Sequence, residues 1–280
     1  MPLPRTDFSP RLSRLGSSAL AVAAIATLSC SRDPESKFVR RSTPLVQTPP
    51  STVALAPLVT DDFVDLPVPN HLNAVVGVPV GATTRRPIVL GVHGNFETPE
   101  AFCKALHGII GTRAFLICVR GTERADWPKD APHYTFVSPQ ILATEVDAAI
   151  NALYERFPAY VDFEALMYVG FSRGAFLSVA IIATEPKRFP RAILIEGGQD
   201  AWTRDRISYF AAEGGTRILF ACGTDICVGE GNRISSLLKS GRIDTRVVYG
   251  ADAGHVYTGR VAQELKKGFD WVVEGDPRWR

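Results

Sequence analysis

Charge of one sign is what this sequence most lacks. Its 31 Lys and Arg residues stand against 29 Asp and Glu, a formal net charge of +2. Arg5, Arg11, Arg14 and Asp7 all precede residue 30, and without them the balance is 28 against 28. A neutral chain without a basic run has no electrostatic footprint for nucleic acid. Long hydrophobic runs are equally scarce. Residues 15–28 form one apolar stretch of 14 residues, too short for a comfortable membrane-spanning helix, so a polytopic membrane protein is excluded. No Cys and His spacing suits zinc, no internal repeat or second core is visible, and nothing resembles a dedicated carboxylate or phosphate clamp. Neither a metal nor a cofactor is expected. What is present is a composition 46% hydrophobic and 21% charged, that of a globular protein with a real core rather than a disordered chain.

The start of the chain reads as an address. Three arginines precede the apolar stretch, which has the length of a signal-peptide core. It ends in Thr27-Leu28-Ser29-Cys30, and a lone Cys at that point resembles the bacterial lipoprotein signal, in which the Cys is lipidated and becomes the new N-terminus. The position three before the Cys is usually Leu and here is Thr27; cleavage by an ordinary signal peptidase near Ala26 or Ser29 is the alternative. Residues 1–30 are therefore expected to direct export to the cell envelope, with a lipid anchor at Cys30 as the membrane link. Residues 31–60, with Pro34, Pro44, Pro49, Pro50 and Pro57 among scattered Ser and Thr, read as an extended linker.

Export places Cys103, Cys118, Cys222 and Cys227 in an oxidising compartment. Cys222 and Cys227 frame Gly-Thr-Asp-Ile and would close a short loop. Cys103 and Cys118 would then be the second pair, or remain two buried thiols.

From residue 61 the pattern is regular. Residues 62–68 and 73–80 read as a leading hairpin. Strand-like runs follow at 87–93, 114–119, 165–170, 192–195, 217–221 and 245–249. Between and after them, 99–110, 138–157, 173–184, 207–212, 232–239 and 257–273 read as helices. Continuous apolar strands separated by amphipathic helices predict one α/β domain over 61–280, a mostly parallel sheet covered on both faces.

In such a sheet the chemistry sits in the loops beyond the carboxyl ends of the strands. Gly170-Phe171-Ser172-Arg173-Gly174 is G-x-S-x-G between a buried strand and an amphipathic helix, and it resembles the nucleophile elbow of the α/β-hydrolase superfamily. His255 follows the last strand, where that family places its catalytic base. His93-Gly94-Asn95 resembles the family's H-G-x oxyanion loop, with His93 itself read as a structural hydrogen-bonding residue. The resemblance covers about 200 residues, from the strand before His93 onward. It implies an α/β-hydrolase fold with a minimal cap, Ser172 as nucleophile, His255 as base, and the backbone N–H groups of Asn95 and Arg173 as oxyanion donors. For the acid of the triad the best candidate is Asp225, in Gly223-Thr224-Asp225, although the family commonly has one residue more in that loop. Glu196 and Asp200, after the preceding strand, stay open as alternatives because some relatives take the acid from there.

Residues 196–216, where many relatives carry a cap, have room for one helix, so an open site is expected. The loop 120–137 carries Trp127, His133, Tyr134 and Phe136, which would either line an apolar acyl or alcohol pocket or pack the loop onto the body. Arg120, Arg124 and Arg173 lie near enough to attract an anion. The expected function is hydrolysis of small-molecule or lipid-like carboxylic esters through an acyl-enzyme. A peptidase or polyester depolymerase is the runner-up, and a non-catalytic binding lipoprotein on a hydrolase scaffold the reading from another class.

Overall fold

Apolar, largely β-branched segments alternate with amphipathic ones along the described part of the chain, residues 54–280 of a computed structural model. The expected signal, Cys30 and most of the linker lie outside the described residues. In chain order the elements are β1 (Phe63–Leu66), β2 (Ala74–Gly77), β3 (Arg86–Val92), α1 (Pro99–Ile110), β4 (Phe115–Cys118), β5 (Thr122–Glu123), β6 (Tyr134–Thr135), α2 (Pro139–Arg156), β7 (Val161–Phe171), α3 (Arg173–Ile182), β8 (Arg191–Ile195), α4 (Arg204–Ala212), β9 (Arg217–Cys222), α5 (Asp225–Ser240), β10 (Asp244–Tyr249) and α6 (Gly259–Val273). Eight strands form one sheet in the order β1-β2-β4-β3-β7-β8-β9-β10. β1 and β2 are the expected hairpin and pair antiparallel with each other, as β2 does with β4; from β4 to β10 every neighbour is parallel.

Strand alternation divides the core between the two faces. Ile88, Leu90, Phe115, Ile117 and Tyr168 pack with Val146 and Ile150 of α2 and Val179 and Ile182 of α3. Val89, Leu116, Met167 and Val169 pack with Phe102 and Leu106 of α1 and Leu265, Phe269 and Val272 of α6. Buried strands carry no polar alternation, so β4 is apolar throughout. Four of the helices start on side-chain caps. Thr98, Ser138, Thr203 and Thr224 each accept an N–H from the first turn of α1, α2, α4 and α5. No helix among the described residues is long and apolar enough to cross a membrane.

Three local differences from the expectation have plain causes. The expected linker docks before residue 61: Leu58 is buried and exchanges backbone hydrogen bonds with Gly81 and Ala82. Helix α5 begins at Asp225 rather than near 232, because Thr224 caps it directly after β9. The loop after β4 holds a two-stranded ribbon, β5 with β6, too short to leave a periodic signal.

The C-terminal segment is pinned by Asp276, which sits between Arg191 at 3.1 Å and Arg278 at 2.7 Å with its side chain 8% exposed. The hydrogen bond from Arg278 chiefly holds its carboxyl down at about 2. A depressed carboxyl stabilises the fold above its unfolded value, near 4, and loses that contribution as pH falls through the folded one. Asp276→Asn is expected to lower unfolding free energy by about 1–2 kcal/mol at pH 7, a figure reduced for partial solvent screening. Denaturant titrations of both proteins should show the difference closing between about pH 4 and pH 2; a gap that persists unchanged at pH 2 contradicts the ionic origin.

Candidate active site

Ser172 occupies the one-residue turn between β7 and α3, with φ 51° and ψ −120°. That left-handed conformation is strained for a residue with a Cβ, and it persists because the neighbours leave no alternative. A Cβ on Gly170 would stand 2.6 Å from the Cα of Ala175, and one on Gly174 would run into the carbonyls of Val92 and His93. Both glycines of the motif are thus required by close backbone approach, and the Ser172 N–H is held by the Ile195 carbonyl of the adjacent strand at 2.9 Å.

His255 lies in the loop between β10 and α6, packed against the Phe171 ring at 5.1 Å. Its Nε2 is 2.9 Å from Ser172 Oγ. Its Nδ1 is 3.1 Å from Glu196 Oε2. A carboxylate only accepts, so Nδ1 carries the proton and Nε2 is left bare to receive the serine hydroxyl. The imidazole is 54% exposed whereas the Glu196 side chain is 2% exposed, so the ring faces the opening and the carboxylate sits behind it.

Glu196 immediately follows β8 with a positive φ of 48°. Its Oε1 accepts the N–H of Gly223 and, at 3.1 Å, that of Thr224; its Oε2 accepts the Thr224 hydroxyl at 3.0 Å. Burial of a carboxylate is costly unless donors replace water, and this cradle supplies them. The structure places Asp225, the expected acid, elsewhere. It opens α5, where a negative charge suits the helix N-terminus, and accepts a hydrogen bond from Tyr249 at 2.6 Å. Its neighbours Gly223 and Thr224 donate to Glu196, the carboxylate that does reach His255. Asp200, the other alternative, is exposed in the β8–α4 connection. The readable signal for Glu196 was its place at the end of a strand, before Gly197, where a Cβ would stand 2.6 Å from the Ser172 carbonyl oxygen.

The loop after β3 lies against the elbow: a Cβ on Gly94 would be 3.3 Å from the Cβ of Ser172. Asn95 is the next residue, its side-chain oxygen held by Arg124 at 2.9 Å. Arg173 is the first residue of α3, where a backbone N–H has no intrahelical acceptor. His93 is fully buried between the carbonyls of Gly94 at 2.7 Å and Arg120 at 3.0 Å. Burial pushes its imidazole below the usual value; it ties two loops together. Glu97 accepts the Tyr257 hydroxyl at 2.8 Å and so joins the oxyanion-type loop to the His255 loop. Burial raises both of these groups above their ordinary values.

The three arginines expected to draw an anion are committed to the protein. Arg120 bonds Asn73 and Glu100, Arg124 bonds Asn95 and Asp126 and covers the Phe96 ring, and Arg173 bonds the carbonyls of Phe136 and Val137. In the long loop, Tyr134 and Phe136 are buried, while Trp127 packs on Phe96 and His133 at the rim. The connection from β8 to β9 carries only α4. Beside the triad-like group is an open depression of about 300 Å³ bordered by Glu196, Gln199, Thr224, Ile226, Cys227 and His255. The sulfurs of Cys103 and Cys118, and of Cys222 and Cys227, lie at disulfide distance, with Cα separations of 5.7 and 5.5 Å.

No family model and no curated protein sequence matches this chain. Solved structures do resemble it. The carboxylesterase of Bacillus cereus is 16% identical with a TM-score of 0.50, covering 67% of this chain and 89% of its own. A protein of Thermus thermophilus, TT1662, is 15% identical with a TM-score of 0.54, covering 76% and 98%. A dienelactone hydrolase-like promiscuous phosphotriesterase from metagenomic libraries is 14% identical with a TM-score of 0.53, covering 75% and 97%. With its eight-stranded, mostly parallel sheet and the elbow between β7 and α3, the chain has the α/β-hydrolase fold.

Proposed function

We propose that the protein is a serine hydrolase of carboxylic esters, working through an acyl-enzyme on Ser172. The observation that carries this reading is the unbroken line from Ser172 Oγ through His255 to the buried Glu196 carboxylate. Ser172 attacks the ester carbonyl as Nε2 of His255 takes its proton. Glu196 holds the ring in the required tautomer and stabilises the imidazolium. The backbone N–H groups of Asn95 and Arg173 donate to the oxyanion, each worth about 3 kcal/mol by comparison with other serine hydrolases. The imidazolium then protonates the leaving alcohol, and water, activated by His255, resolves the acyl-enzyme. The triad is thus Ser-His-Glu in place of the expected Ser-His-Asp. A non-catalytic role fits poorly with a nucleophile held strained and in hydrogen-bond reach of its base, since an idle site has no use for that strain. The open depression and the single α4 in the cap position support small or loosely held acyl and alcohol groups, and an ester panel run beside a peptide panel separates esterase from peptidase. Export and a lipid anchor at Cys30 belong to the same reading, and Cys30→Ser should move the protein from the membrane fraction to the soluble one.

Ser172→Ala is expected to abolish p-nitrophenyl ester turnover and fluorophosphonate labelling while melting within a few degrees of wild type. Activity retained within tenfold would remove Ser172 from the nucleophile role. The acid is tested separately. Glu196→Gln should cost on the order of 10⁴ in kcat by the serine-protease precedent, and Asp225→Asn only a few-fold. The reverse ranking would return the acid to Asp225.

A further inference from the structure

The proposed acid is held by a loop that is itself stapled. We propose that the Cys222–Cys227 disulfide is a positioning element for Glu196, so that turnover depends on the bridge being oxidised; this rests on the serine-hydrolase reading above. The bridge joins the last residue of β9 to the third residue of α5. Between its ends lie Gly223 and Thr224, whose two N–H groups and one hydroxyl surround the Glu196 carboxylate. Thr224 works in both directions: its hydroxyl donates to Glu196 and accepts the N–H of Cys227 at 3.3 Å. Gln199, three residues beyond Glu196, places its Nε2 3.1 Å from Cys227 Sγ.

The same segment also braces the loop that holds His255. The Gly254 N–H donates to the Gly223 carbonyl at 3.0 Å and the Gly250 N–H to the Cys222 carbonyl at 2.8 Å, on either side of the turn that leads to His255. A Cβ on Gly223 would collide with the Gly254 carbonyl. Acid and base are therefore indexed to one four-residue segment with a covalent tie across it. Two thiols cannot stay at bonding distance; non-bonded heavy atoms stand about 3.5–4 Å apart. Opening the bridge must push the end of β9 and the first turn of α5 apart inside a close-packed wall, and the donors of Glu196 lie between them. A dithiol reductant supplies the two electrons and two protons. The S–S bond breaks, Cys222 and Cys227 become thiols, and the reductant leaves as its cyclic disulfide. Cys227 borders the open depression, whereas Cys103 and Cys118 are fully buried between α1 and β4.

The experiment compares the full chain, purified oxidised, with Cys222→Ala/Cys227→Ala and with Cys103→Ala/Cys118→Ala. Each is assayed on p-nitrophenyl acetate well below its melting temperature. The first variant should lose about tenfold in kcat with KM nearly unchanged, and the second should keep kcat while melting lower. Dithiothreitol-treated wild type, with free thiols counted by mass spectrometry, should match the first variant and recover on reoxidation. In a Glu196→Gln background, removal of Cys222 and Cys227 should cost clearly less than in wild type, because the bridge acts chiefly through that carboxylate. Retention of kcat within twofold with only a lower melting temperature overturns the proposal, as does an equal loss in the Glu196→Gln background. Oxidised wild type that neither turns over ester nor labels with a fluorophosphonate overturns the hydrolase reading and the inference with it; labelling with an unaffected variant overturns the inference alone.

Discussion

A carboxylate 2% exposed at the centre of a protein imposes conditions on everything around it. It must find donors for both oxygens, because each unmet lone pair forfeits hydration that the interior does not replace. Glu196 finds them in three places: the N–H groups just past β9, the hydroxyl that caps α5, and Nδ1 of His255. Those requirements fix where β9 must stop, why α5 must start without an intervening loop, and how the His255 turn must sit on Gly223. The tautomer of His255 and the receptiveness of its Nε2 follow from the same carboxylate.

Much of this architecture was legible in the sequence because it is written in periodicities. Buried parallel strands leave uninterrupted apolar runs, and the helices between them keep an amphipathic face, so the order of elements from the hairpin to α6 could be read directly. The elbow at Ser172, the placing of His255 and the loop around His93 were legible for another reason: each sets a polar side chain beside glycine, required by close approach at Gly94, Gly170 and Gly174 and by a positive φ at Gly254. The acid was harder. Both Asp225 and Glu196 end or follow a strand beside glycine, and a linear pattern does not tell which carboxylate turns inward. What decides is the cap at Thr224, which makes Asp225 the first residue of a helix and turns the preceding amides toward Glu196. The ribbon of β5 and β6 and the docking of residues near Leu58 were invisible because each rests on a few backbone hydrogen bonds rather than on a repeat.

The arginines near the site illustrate how proximity in sequence overstates availability. Arg120, Arg124 and Arg173 each bond two partners within the protein, holding the β4–α2 loop to α1, to the loop after β3 and to α3. They shape the rim instead of presenting charge to a ligand. What remains exposed there is Phe96 with Trp127, an amphipathic surface on the loop after β3 and the β4–α2 loop.

Six non-glycine residues among those described have positive φ, and three of them are Ser172, Glu196 and Phe96, which follows Asn95. Conformations of this kind cost about 1–3 kcal/mol each. The site is thus where the native state is least relaxed, and the surrounding sheet holds it against its own preference. One consequence concerns how such a chain could drift. Glycine at position 172 would relieve the turn and abolish the nucleophile together, so the most stable descendant of this sequence and the most reactive one lie in opposite directions. An unselected lineage would be expected to lose its serine by relaxation sooner than it loses its fold.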